Sequence, residues 1–218
     1  MSNYVQRFLL ENLDIRGAVV HLDSVWQQML SGRNYPQPVT QLLGEMSAVT
    51  LLLSENLKQV GRLTIQLNGS GPVSMLVIDC NDTLHIRGMA KYSQNITAQP
   101  VSGLLGHGQL LLTLDMPSMR ESYQSVVPLD GDNIAELFEH YFKQSEQLPS
   151  RLFLITTNTT VFGLLLQKLP AADQQDPDGW ARAKALAATV NDDICNREYR
   201  LDALAVDAIF REAGPTVH

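Results

Sequence analysis

Arg62-Leu63-Thr64-Ile65-Gln66-Leu67-Asn68-Gly69-Ser70-Gly71-Pro72-Val73 is the stretch on which the fold turns. Leu63, Ile65 and Leu67 alternate with Thr64, Gln66 and Asn68, the period of a half-buried strand. Asn68 to Pro72 carries turn chemistry, and Val73 to Ile78 reads as the returning strand. Just upstream the period is different. Val39, Leu42, Leu43, Met46, Val49, Leu53 and Leu57 recur at three- and four-residue spacing, which predicts a helix. Ala48, Leu51 and Leu52 fill its other side, so this helix is expected to be buried all round. A buried helix beside a hairpin, with no strict β-α-β-α rhythm, predicts an α+β fold rather than a doubly wound sheet.

Working outward, Ile15 to Val20 reads as a strand or turn. A short helix follows, with Asp23 as N-cap, Val25, Trp26, Met29 and Leu30 as its apolar stripe, and Gly32 as its end. Pro36 and Pro38 mark a loop. Thr83 to Met89 and Gln109 to Leu114 continue the β region, and Gly103, Gly106 and Gly108 predict tight turns or bulges between them. Asp132 is the expected N-cap of a helix carrying Ile134, Leu137, Phe138, Tyr141 and Phe142, stopped by Pro149. Arg151 to Thr156 and Thr160 to Gln167 are strand candidates. Residues 170–179 read as a linker, Trp180 to Val190 as an Ala-rich helix, and about Ala203 to Ala213 as a last helix before Gly214-Pro215.

Composition removes several function classes. The 218 residues include 16 basic and 23 acidic side chains, a formal charge of −7. With no Lys/Arg cluster, such a chain repels a phosphate backbone, so no nucleic-acid partner is expected. The longest apolar runs, such as Leu164-Leu165-Leu166, are far below the roughly 20 residues that span a bilayer. The first residues lack the pattern of a signal peptide, and Cys80 and Cys195 alone form no disulfide framework. A soluble protein of the reducing cytoplasm is the expectation.

No constellation for catalysis stands out. The histidines, His21, His85, His107, His140 and His218, have no partners at metal-ligand spacing. His107, between Gly106 and Gly108, reads as a turn residue, the alternative being a small-ligand loop. His140 reads as a helix residue that is either solvated or satisfied by a neighbour. Asn68 to Pro72 lacks the following helix and Lys-Ser/Thr of a phosphate cradle. Gln144-Ser145-Glu146-Gln147-Leu148-Pro149 reads as a helix end in which Ser145 and Gln147 bond the last carbonyls, the alternative being a binding corner. No enzyme is expected.

Several stretches, taken in order, resemble one known family. They are Arg16-Gly17-Ala18-Val19-Val20, Leu43-Gly44-Glu45-Met46, Leu57-Lys58 with Gly61-Arg62-Leu63-Thr64, and Gly69-Ser70-Gly71-Pro72. Val127 to Gly131, Tyr141-Phe142-Lys143-Gln144-Ser145-Glu146-Gln147-Leu148-Pro149, and Gly163 to Pro170 complete the set. Together they are similar to the redox-regulated bacterial chaperones called the heat shock protein of 33 kDa, continuously over about residues 1–190. The resemblance implies an ATP-independent holdase that binds unfolded client proteins under oxidative stress, with a possible homodimer. It implies a client-binding domain at residues 1–170, a helical linker remnant at 171–190 and a remnant of a switch domain at 191–218.

In that family four cysteines, Cys-x-Cys and later Cys-x-x-Cys, hold zinc when reduced and form two disulfides when oxidised. This sequence departs from that pattern. Cys195 is similar to the last ligand, but Asp192 stands where its Cys-x-x-Cys partner belongs, and no Cys-x-Cys occurs. Most of the linker and the first part of the switch domain are therefore read as absent, with no zinc, no cofactor and no disulfide expected, and Cys80 read as a small buried hydrophobe. Two readings follow: a holdase whose redox switch is impaired, or an inactive remnant whose shortened tail, through Leu204, Val206, Ile209 and Phe210, covers the client surface. The sequence locates no client surface, because exposed hydrophobicity belongs to the folded molecule.

Overall fold

The computed structural model describes residues 3–56, 61–116, 121–127 and 129–189, and the backbone of 211–212. Its centre is α2 (Gln37–Asn56), the helix expected from the long apolar repeat. Val39, Leu42, Leu43, Met46, Ala48, Val49, Leu51, Leu52 and Leu53 are all buried, so the helix is apolar on every side. It is held between two antiparallel sheets.

One sheet contains β1 (Tyr4–Leu10), β2 (Ile15–Leu22), β8 (Ser150–Thr156), β9 (Val161–Lys168) and the short β10 (Arg211–Glu212), in the order β10-β1-β2-β9-β8. The other contains β3 (Arg62–Gly69), β4 (Val73–Asn81), β5 (Ile86–Tyr92), β6 (Gly108–Asp115) and β7 (Tyr123–Val127), in the order β5-β4-β3-β6-β7. The expected hairpin is β3–β4, with Leu67 opposite Leu76 and Leu63 opposite Cys80. Leu63, Ile65, Leu67, Leu76, Ile78, Leu110 and Leu112 form the face turned to α2. Glycine lets helix and sheet approach: a Cβ on Gly163 would lie 2.8 Å from Val20 Cγ1 and 3.1 Å from Ala48 Cβ.

Polar groups inside this layer are mostly self-satisfied. Ser47 Oγ donates to Leu43 O and Thr50 Oγ1 to Met46 O, each at 2.7 Å. Glu45 is the costly one. Burial pushes its carboxyl up from the ordinary carboxylate range, offset in part by a bond from Gln41 Nε2 at 2.9 Å. Because the folded pKa is raised, the folded state holds this proton to higher pH than the unfolded chain. Stability is therefore lost as pH rises from the unfolded pKa through the folded one. Glu45→Gln is expected to raise Tm at neutral pH and to change it little below the carboxylate range. Urea titrations at the two pH values check this; an equal effect at both would count against burial as the cause.

The remaining helices clad the sheets. These are α1 (Ser24–Leu30), α3 (Val101–Leu105), α4 (Ile134–Ser145), α5 (Ala172–Gln175) and α6 (Gly179–Ala187). α4 buries Ile134, Leu137, Phe138 and Phe142 against β8 and α2. α6 buries Ala183 and Ala187 on the far side of the first sheet, with Phe8, Val19, Leu164 and Leu166.

Several expectations are corrected. Asn133 caps α4: its side chain accepts from Glu136 N, while Glu136 Oε2 accepts from Asp132 N at 2.8 Å. Asp23 is the N-cap of α1 as expected, but its side chain makes no cap bond: the N–H groups of Asp23 and Val25 donate to Asn3 Oδ1, and the Asp23 carboxylate accepts from Gln27. Gly103 lies within α3, a turn started at Pro100 by the bonds of Gly103 and Leu104 to its carbonyl. Gly106 does make the tight turn, at φ +59. Strands β1 and β7 have no counterpart in the sequence reading. Within the helix expected near 203–213, Arg211 and Glu212 instead form β10 against Leu9 and Phe8, because the edge of β1 supplies backbone partners. The other residues of that expected helix, including Leu204, Val206, Ile209 and Phe210, lie outside the described residues.

Candidate functional site

Strand alternation decides what the second sheet shows to water. With the even-numbered leucines of β6 turned to α2, the odd positions face out. The registers then line up one row across all strands of the sheet: Met89 on β5, Val77 on β4, Gln66 on β3, Leu111 on β6 and Val126 on β7. The ends of this row reach solvent most, Met89 at 40% and Val126 at 59% exposed. Val77 and Leu111 are half-buried between them. Gln66 interrupts the row at its centre, and the apolar pairs on either side of it, Met89 with Val77 and Leu111 with Val126, offer contact surface to other apolar groups.

Polar rows flank it. On one side are Arg87, Asp79, Thr64, Thr113 and Gln124. The buried Asp79 carboxylate binds Arg87 Nε at 2.8 Å and Thr64 Oγ1 at 3.0 Å, with Arg62 Nε at 3.5 Å. On the other side lie Lys91, Asn68 and Gln109, with Met75 as the one apolar member of that row. The apolar stripe is thus bounded by groups that hold water, which keeps the face soluble.

The first sheet offers a second apolar surface, already partly occupied. α6 covers Phe8, Val19, Leu164 and Leu166, while Tyr4, Phe153, Phe162 and Trp180 are half-buried at the rim of that contact. Tyr4 stacks on His21 with ring centroids 5.6 Å apart.

The positions singled out from sequence fall elsewhere. Cys195 lies outside the described residues. Cys80 is buried in β4, its Sγ 3.5 Å from Asn81 O, and burial pushes its thiol pKa up. Among the described residues no cluster of His, Cys, Asp or Glu side chains could hold a metal ion. His107 is an exposed turn residue whose N–H donates to Ser70 Oγ at 3.1 Å. His140 is exposed on α4, with Nδ1 2.6 Å from Asp130 O. The glycine-rich turn is closed by its own chain: Ser70 N donates to His107 O and Gly71 N to Leu105 O, so these amides are not free for a phosphate.

The Gln144–Pro149 run is structural. Ser145 Oγ donates to Tyr141 O at 2.7 Å, as expected for a helix end, whereas Gln147 takes φ +56. Glu146 Oε2 reaches further and accepts from Arg16 Nη2 at 3.2 Å and Gln167 Nε2 at 3.1 Å. Gln167 is itself buried and accepts from Arg16 Nε at 2.9 Å. This network ties the end of α4 to β2 and β9. Spacing could not show it, because its members come from three distant segments. The exposed row was missed for the same reason.

Comparison with known proteins agrees with this architecture. The family described as Hsp33 protein matches residues 3–217. The 33 kDa chaperonin of Methylobacillus flagellatus is 39% identical over 213 residues, covering 97% of this chain and 71% of the relative. That of Pseudoalteromonas translucida is 37% identical over 221 residues, covering 99% of this chain and 77% of the relative. That of Chromobacterium violaceum is 38% identical over 189 residues, 85% of this chain and 64% of the relative. The crystal structure of the 33 kDa chaperonin from Thermotoga maritima shares the fold at a TM-score of 0.76 and 18% identity, over 99% of this chain and 78% of that one. The α+β architecture, the sequence match along the chain and relatives at this identity lead to one conclusion: the chain belongs to the Hsp33 protein family.

Proposed function

We propose that the protein is an ATP-independent holdase, a non-catalytic chaperone of the reducing cytoplasm that binds unfolded proteins and keeps them from aggregating. The observation that carries this reading is the outward-facing row of Met89, Val77, Leu111 and Val126, parted at its centre by Gln66, with Met89 and Val126 exposed at its ends. Each client side chain it shields from water contributes on the order of 1.5–3 kcal/mol at full burial, and less on an open face. Such contacts are non-directional and ask for no particular client sequence. The names of the relatives, all 33 kDa chaperonin, support a chaperone role.

The family's zinc does not fit the residues present. A structural zinc site takes four ligands, the sequence has two cysteines, and Cys80 is committed to the core of the second sheet. The proposed activity therefore includes no redox step, and client capture is independent of oxidant. Among the described residues no helix is long and apolar enough to cross a membrane.

Light scattering of a denaturant-unfolded client diluted into buffer tests this, with and without peroxide. Suppressed aggregation to the same extent in both is expected. Unchanged aggregation in both would remove the holdase reading; strong dependence on peroxide would restore a redox switch. The alternative is an inactive remnant whose shortened tail, through Leu204, Val206, Ile209 and Phe210, covers the client surface; it rests on residues outside the described ones and predicts the first of those failures.

A further inference from the structure

We infer that the outer edge of β7 receives an extended apolar segment of an unfolded polypeptide, basic at its flanks, as an added strand; this rests on the holdase reading and names where and how a client is held. Backbone geometry carries the argument. Across the β3–β6 pair Ser70 N donates to His107 O at 3.0 Å, and the register runs unbroken from there. Backbone groups alternate in direction along an antiparallel ladder, so Leu110, Leu112 and Leu114 aim theirs at β7. Their register partners Val127, Ser125 and Tyr123 answer them. The N–H and C=O of Gln124 and Val126 are left aimed away from the sheet.

The opposite edge of the same sheet checks the rule. Asn81 N donates to His85 O at 3.2 Å, which turns Gly88 and Ala90 of β5 outward. There Arg33 Nη1 donates to Gly88 O at 2.7 Å, and Ala90 N donates to Tyr35 Oη at 3.3 Å. In the first sheet the β8 edge is closed where Leu152 N donates to Glu139 Oε1 at 2.8 Å, and β1 carries β10. At β7, among the described residues, no side chain takes the outward groups. Its sequence, Tyr-Gln-Ser-Val-Val, also lacks the charges and proline that usually blunt an edge.

Three observations name the occupant. The edge continues the stripe, since Val126 ends that row at 59% exposed, while Tyr123, 52% exposed, points to the opposite face, so an added strand would gain side-chain contacts on each face as well as ladder bonds. The exposed carboxylates Glu121, Asp130 and Asp132 lie beyond the two strand ends, in a chain of charge −7, which favours basic flanks. A strand of 5 residues buries far less than the roughly 1,200 Å² of a stable interface. That suits transient capture rather than a lasting dimer through this edge.

The test uses the full chain and a rhodamine-labelled peptide of alternating Thr and Val flanked by Lys pairs, followed by anisotropy. The same peptide N-methylated at alternate residues keeps its side chains and loses its edge donors. Gln124→Pro removes one outward N–H at a polar position without touching the β6 ladder, and Gln124→Thr keeps it. The parent peptide is expected to bind, with affinity falling roughly three- to ten-fold with Gln124→Pro, the change of about one hydrogen bond, falling further on N-methylation, which removes the donors to both outward carbonyls, and holding with Gln124→Thr. No binding, or equal binding by parent and N-methylated peptides, would overturn the inference, and that comparison needs no folded variant. A dimer in sedimentation that Gln124→Pro dissolves would give the edge to a second copy and overturn it too. Aggregation suppression by the unaltered chain is scored separately. If it persists while the peptide results fail, the edge alone falls; if it is absent, the holdase reading falls.

Discussion

Replacing Ala183 and Ala187 together by Glu is expected to release α6 from the first sheet and raise capture of denatured client several-fold, with a parallel rise in the fluorescence of an apolar dye. Both alanines are 8% exposed and lie one turn apart on the face that meets Phe8, Val19, Leu164 and Leu166. The helix is 9 residues long, below the roughly 12–15 at which isolated helices become even marginally stable in water. Its hold on the sheet therefore comes from packing, and alanine methyls bury little area. An unpaired carboxylate in that contact costs several kcal/mol, more than two methyl groups and the rim of Trp180 return. Once free, the sheet face adds Val19, Leu164 and Leu166 to the half-buried Phe153 and Phe162 as apolar surface. Dye binding without a gain in client capture would show that this face is not a client surface, leaving the row on the second sheet. A loss of capture would show that α6 itself belongs to the site.

Trp26→Ala is expected to cost about 3–5 kcal/mol of folding stability, a large part of the roughly 5–15 kcal/mol that a domain has. Trp26 is fully buried in the main core, and its Nε1 donates to Thr157 O at 3.0 Å. It therefore joins α1 to the turn between β8 and β9 through packing and a hydrogen bond at once. Trp26→Phe keeps most of the packing and should cost much less, with the missing bond worth about 1 kcal/mol. Urea unfolding followed by circular dichroism separates the two. Equal costs for both variants would assign the residue's role to the hydrogen bond rather than to filling the core.

Periodicity was reliable where one segment decides its own burial. The three- and four-residue repeat from Val39 onward became α2, and the alternation at Leu63, Ile65 and Leu67 became β3, because both patterns report a local apolar face. It failed where the partner is distant. β7 is short and mostly exposed, and it exists because β6 offers it a ladder. Arg211 and Glu212 pair with β1 although the local pattern favoured a helix. At α1 the cap position is Asp23 as read, but the acceptor for the free N–H groups is Asn3, more than a helix-length away in sequence, whereas capping patterns are read over three or four residues.

The site divides along the same line. By itself the sequence determined the α+β class, the family resemblance and the lack of enough cysteines for zinc, since residue types and local spacing carry all three. It also marked Tyr141 to Pro149 as distinctive, without showing that Glu146 there fastens α4 to Arg16 and Gln167. Only the tertiary structure placed Met89, Val77, Leu111 and Val126 in one row and left the Gln124 and Val126 backbone facing out. Those four residues are scattered along the chain, and each alone is an ordinary apolar strand residue. Strand register aligns them and sheet order exposes them; both are set by long-range pairing, which no local period encodes.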